Sequence, residues 1–210
     1  MTEDTVRVGK YTLESLTTGM YSDPKIVYRE YIQNSVDSLE NAVSLGLIEP
    51  QSMRIDIVIN AEESFISIKD NGTGIPADTA AATLMNVGSS KKRSANNRGF
   101  RGIGRLGGMG YCDTLVFTTS AENESVKTII SFDCKKLRRL LVPGEYEEMS
   151  LSAVLEEITS IVTLPEKLEK HYLCVEMKEV NGFSDLLDID TARSYIAQVA
   201  PLPYQSRHFI

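Results

Sequence analysis

Residues 28–41, YREYIQNSVDSLEN, read as a helix with one face to bury and one face to account for. At about 3.6 residues per turn, Glu30, Asn34 and Asp37 share one side, while Val27, Tyr31, Val36, Leu39 and Val43 lie around the other. The apolar side must be covered, so the chain needs a partner layer. The polar side, an acid, a carboxamide and an acid, reads either as solvated surface or as the wall of a site. The helix is expected to start near Pro24, with Asp23 as its cap, and Gly46 and Pro50 end it and its extension.

Strand patterns supply that layer. MRIDIVI at 53–59 alternates in part, and Phe65, Ile66 and Ile68 follow the turn-prone NAEES, which predicts two antiparallel strands. The second strand runs straight into DNGTGIP, and Pro76 then opens a small-residue helix, ADTAAATLMNV. Residues 89–110 carry Lys91, Lys92, Arg93, Arg98, Arg101 and Arg105, no acid, and a cluster of glycines, and so read as a basic loop that returns to order in a short helix at 106–111. DTLVFTT and VKTIISFD are strands joined by the polar turn SAENES. KKLRRLL looks helical, residues 150–164 fit helix or strand equally, YLCVEMKEV is a strand, and DLLDIDTARSYIAQVA is a helix.

A chain of 210 residues with 42% hydrophobic and 24% charged side chains and a mean hydropathy of -0.14 describes one ordinary globular domain. That domain is expected over residues 1–200, with 201–210 beginning a linker to a further C-terminal region. No apolar run has the length of a membrane span, and MTEDTVRVGK lacks the basic-then-apolar pattern of a signal peptide, so the cytoplasm is the expected compartment. Cys112, Cys134 and Cys174 are odd in number and form no CxxC pair, which suggests buried free thiols rather than a disulfide framework or zinc site. A net charge of -7 gives no indication of nucleic acid binding.

Two stretches carry chemistry. Asp70 ends a strand and is followed by Gly72 and Gly74, which leave room for a flat ligand. A carboxylate accepts hydrogen bonds only, which suits the exocyclic amine of adenine and refuses the carbonyl of guanine. A tight acidic turn is the plain alternative. In the basic loop, Gly99, Gly102 and Gly104 free backbone N–H groups for phosphates, the following short helix adds its N-terminus, and Lys91 and Lys92 add charge upstream. Residues 102–107 also fit GxGxxG, but a charged loop precedes them where a dinucleotide fold requires a strand, and GxxxxGK[ST] is absent.

In order and spacing, E-x3-N-x2-D at 30–37, D-x-G-x-G at 70–74 and G-x2-G-x-G at 99–104 resemble the three nucleotide-binding motifs of the GHKL superfamily. That superfamily comprises gyrase B subunits, the ninety-kilodalton heat-shock chaperones, histidine kinases and MutL-type repair proteins. The resemblance covers roughly residues 20 to 180 and is nearest to the heat-shock branch. It implies the Bergerat fold, an α/β (α+β) two-layer sandwich of a mixed, mostly antiparallel sheet with helices on one face and a glycine-rich lid. Carried over, Glu30 matches the general base for the attacking water, Asn34 the Mg²⁺ ligand and Asp37 a site residue one turn on. Asp70 matches the adenine-reading aspartate, with Gly72 and Gly74 beside it. Gly99, Gly102, Ile103 and Gly104 match the lid around the phosphates, and Lys91 or Lys92 resembles the lid lysine. Relatives carry Gly-Thr at the start of a late strand, the Thr assisting the aspartate through water, where this chain has Lys170-His171.

The resemblance implies an ATP-binding domain with slow Mg²⁺-dependent hydrolysis, in which lid closure drives self-association or docking of later domains. A histidine-kinase module and a nucleotide-gated module that never hydrolyses are the alternatives. The protein client stays open.

Overall fold

A computed structural model describes residues 23–85, 104–142, 149–181 and 184–199. Helix α1, Ile26–Ser44, buries Val27, Tyr28, Tyr31, Ile32, Ser35, Val36, Leu39 and Ala42. It starts two residues later than expected. Asp23 and Pro24 form the turn before it, where Oδ1 of Asp23 accepts from Lys25 N–H at 3.0 Å. At the other end Gly46 takes φ +71, and Gly46 and Leu47 return their N–H groups to Val43 and Ala42. A left-handed residue followed by such a pair of bonds is the usual glycine stop of a helix.

Strands β1, Ile55–Asn60, and β2, Phe65–Asp70, form the expected hairpin, and α2, Ala77–Met85, follows. A 3-10 helix, Gly104–Gly110, leads into β3, Cys112–Ser120, and β4, Val126–Asp133. Helix α3, Cys134–Leu140, is capped by Asp133, whose carboxylate accepts from Lys136 N–H at 2.7 Å. The ambiguous stretch at 150–164 is both helix and strand. Ser150 caps α4, Leu151–Ile158, and the β-branched run that follows becomes β5, Thr159–Pro165. Strand β6 is Tyr172–Val180. The single helix expected after it is divided into α5, Ser184–Leu187, and α6, Ile189–Val199, because the Asp188 carboxylate accepts from Thr191 N–H and starts a new helix.

Among the described residues six strands run in the order β1-β2-β6-β3-β4-β5 with all five pairings antiparallel, in keeping with the mostly antiparallel sheet expected. Directly opposed residues share a face. Ile59, Ile66, Met177, Leu115, Phe132 and Thr159 therefore make one row across the sheet, and Ile57, Ile68, Val175, Phe117, Ile130 and Ile161 the next. As far as β4 these rows share one hydrophobic core with the helices, in which Phe117 meets Tyr31 and Phe132 edge-on, while Ile161 on the edge strand is exposed. On the opposite face Val58, Val162 and Leu164 are exposed. The chain is thus a two-layer α/β sandwich.

Candidate functional site

The third row on the core face changes character: Ile55, Asp70, Leu173, Thr119, Thr128 and Thr163. It closes the core with polar groups, and Asp70 is 2% exposed. Its Oδ1 accepts from Gly72 N–H at 2.9 Å and from the Ser38 hydroxyl at 3.3 Å. Its Oδ2 is buried and has no hydrogen-bond partner among the described residues. Burial pushes the Asp70 carboxyl up to about 6, opposed chiefly by the Gly72 N–H and also by the neighbouring Ser35 and Ser38 hydroxyls. An orphaned carboxylate oxygen in a packed interior costs free energy unless a donor arrives.

The loop after Asp70 is held from three sides. From α1, Ser38 Oγ accepts from Thr73 N–H at 3.1 Å. From β3, Thr119 Oγ1 accepts from Ile75 N–H at 2.8 Å and donates to the Tyr172 carbonyl at 3.0 Å. From the approach to β6, His171 Nδ1 lies 2.6 Å from the Gly72 carbonyl. A carbonyl only accepts, so Nδ1 carries the hydrogen and donates.

Gly72 and Gly74 have a different physical reason from the expected one. A Cβ on Gly72 would lie 2.2 Å from Ser38 Oγ, and one on Gly74 would lie 1.9 Å from the Ser120 carbonyl oxygen, with φ at +63. The space beside both glycines is filled by the protein itself. They let the loop close onto α1 and the end of β3.

At the other end of α1 the Glu30 carboxylate packs against the backbone of Gly104, where a Cβ would lie 2.0 Å from Glu30 Oε2. Glu30 is half-buried, and burial raises its carboxyl above the ordinary range, with Arg29 opposing. The next residue, Tyr31, pins the 3-10 helix. Its hydroxyl accepts from Gly108 N–H at 3.1 Å and donates to the Arg105 carbonyl at 3.1 Å. Asn34 lies half-buried one turn beyond Glu30. Asp37, half-buried as well, accepts from Gln33 Nε2 at 3.0 Å.

The chain matches the model of the Histidine kinase-, DNA gyrase B-, and HSP90-like ATPase family over residues 21–159. It belongs to that family. Family membership carries ATP binding as its general function, and the two-layer sandwich agrees with it. Within the curated proteins, the chaperone protein HtpG of Acinetobacter baylyi is 29% identical over 84 residues, which are 37% of this chain and 13% of that chaperone. The similarity to HtpG supports the heat-shock branch of this ATPase family.

The matched span takes in α1, the loop after Asp70 and the 3-10 helix, so this ATPase-family chain brings its first two motifs and the end of its third onto one side of α1. Lys91, Lys92, Gly99, Gly102 and Ile103 lie outside the described residues. Ser38, Thr119 and His171 are additions. Ser38 was open to discovery, since it continues the spacing of four from Glu30 and Asn34. No helix is long and apolar enough to cross a membrane among the described residues.

Proposed function

We propose that this chain binds ATP with Mg²⁺ along the polar face of α1, hydrolyses it slowly, and uses occupancy of the site as a conformational switch. The observation that carries this reading is the buried Oδ2 of Asp70, unpartnered among the described residues. It is an acceptor waiting for a donor, beside a loop held rigid from α1, β3 and β6, and the exocyclic amine of adenine supplies that donor. Glu30 lies eight residues before Ser38, the α1 residue that touches Asp70, which is about 12 Å at the usual rise per residue, a separation that suits the two ends of a nucleoside triphosphate.

In this reading Glu30 takes a proton from water as the water oxygen attacks the γ-phosphorus, and ADP and phosphate leave. Burial brings its carboxyl closer to neutral pH, the direction that improves a general base. Asn34 would hold Mg²⁺, which when bound offsets phosphate charge and keeps several waters among its ligands. Asp37 lines the next turn. Gly99, Gly102, Ile103 and Gly104 offer N–H groups to the phosphates, with Lys91 or Lys92 adding charge. Closing that segment over ATP favours self-association or docking of further domains. A cytoplasmic setting fits the free cysteines.

ATP titration and turnover by the wild type, Glu30→Ala and Asp70→Asn test this. Glu30→Ala is expected to bind and not turn over, and Asp70→Asn not to bind. Undiminished turnover in Glu30→Ala refutes the base, and a wild type that binds no ATP at millimolar concentration refutes the reading.

A further inference from the structure

Among the described residues, Arg105 is a cation without an anion. Its backbone is held on α1, since its carbonyl accepts from the Tyr31 hydroxyl and its neighbour Gly104 abuts Glu30. Its side chain crosses to the other helix of the site, where Nη1 donates to the Thr83 carbonyl in the last turn of α2. It is half-buried, and burial makes its charged form harder to hold. Among the described residues it forms no ion pair with a carboxylate. A guanidinium has five N–H donors, and the Thr83 carbonyl engages one of its nitrogens. The end of a helix does attract a cation, yet such contacts leave most of the charge and the planar fork unused.

We propose that Arg105 is a phosphate-binding residue, supplying from within this chain the guanidinium that grips the di- or triphosphate of the nucleotide. This role presupposes the ATP-binding reading of the same site. The chemistry matches: a bidentate fork fits phosphate oxygens, and a partly desolvated cation gains most from an arriving anion. The 3-10 helix fixes the residue beside Glu30's contact while its side chain spans from α1 to α2, so the phosphates and the attacking water share one neighbourhood.

Calorimetric titration of the purified chain with ATP, ADP and adenosine, for wild type, Arg105→Met and Arg105→Lys, separates phosphate binding from packing. Arg105→Met is expected to weaken ATP and ADP about ten- to hundredfold while adenosine changes less than about twofold. Arg105→Lys keeps the charge without the fork and recovers part of the loss, which also serves if the Met variant does not fold. Two results overturn the assignment while leaving nucleotide binding intact: ATP affinity unchanged in both variants, or ATP and adenosine falling together with the melting temperature. A wild type that binds none of the three overturns the ATP reading and this residue's role with it.

Discussion

The hydroxyl of Ser38 donates to Oδ1 of Asp70 at 3.3 Å and joins α1 to the end of β2. The same oxygen accepts from Thr73 N–H, so one small side chain orients the carboxylate and satisfies the loop that follows it. Ser38→Ala is expected to lower stability by about 1–2 kcal/mol, because it leaves a backbone donor unpaired. ATP affinity falls with it, since Asp70 loses a bond that favours its ionised form. Thermal melting and ATP titration read the two effects.

Two glycines respond differently to the same methyl group. Gly104→Ala would press on the far end of the Glu30 side chain, which can move, and is expected to cost less than about 1 kcal/mol while reducing turnover at least about tenfold with binding retained. Gly74→Ala would meet the Ser120 backbone at a positive φ and is expected to cost about 2–4 kcal/mol. Equal stability losses in the two variants would contradict this contrast.

Asp70 sets a pH dependence whose sign follows from its burial. Its carboxyl is raised from 3.8 to about 6 in the folded chain. Between those values the folded state holds a proton that the unfolded state has released, so stability falls as pH rises through that window. Asp70→Asn removes the titration, and its stability relative to wild type is expected to grow by about 2 kcal/mol from pH 4 to pH 7. ATP binding runs the other way, because the adenine amine needs an ionised acceptor. Wild-type affinity is expected to rise with pH through about 6, and an affinity that is flat there contradicts the assigned acceptor.

His171 donates from Nδ1 to the Gly72 carbonyl and so ties the approach to β6 to the loop after Asp70. His171→Ala is expected to lower stability by about 1 kcal/mol and to weaken ATP binding by a few-fold. His171→Asn, which keeps an N–H donor, recovers most of both. A histidine that merely filled the surface would show neither loss nor rescue in melting and titration.

Much of this was legible residue by residue. The polar stripe of α1, the strand pairs and the order of three motifs are local patterns, set by side-chain periodicity and backbone preference within a few residues. The stretch at 150–164 resisted because its first half is amphipathic helix and its second half β-branched, and only the ladder with β4 decides where one stops. The split at Asp188 was also local, but hidden inside an otherwise continuous helical pattern.

Chemistry-bearing spacing was therefore present in the sequence itself: Glu30 and Asn34 on one helix face, Asp70 before its glycines. What surrounds them depends on sheet register. Pairing β2 with β6 and β6 with β3 sets Thr119 and Asp70 in one row and brings His171 to Gly72 across 99 residues. It also closes Gly72 on Ser38 and Gly74 on Ser120, so those glycines serve packing first. Among the described residues, only the tertiary structure leaves Oδ2 of Asp70 without a hydrogen-bond partner and the Arg105 guanidinium without an ion pair, because burial and pairing belong to the assembled core and not to any local run of residues.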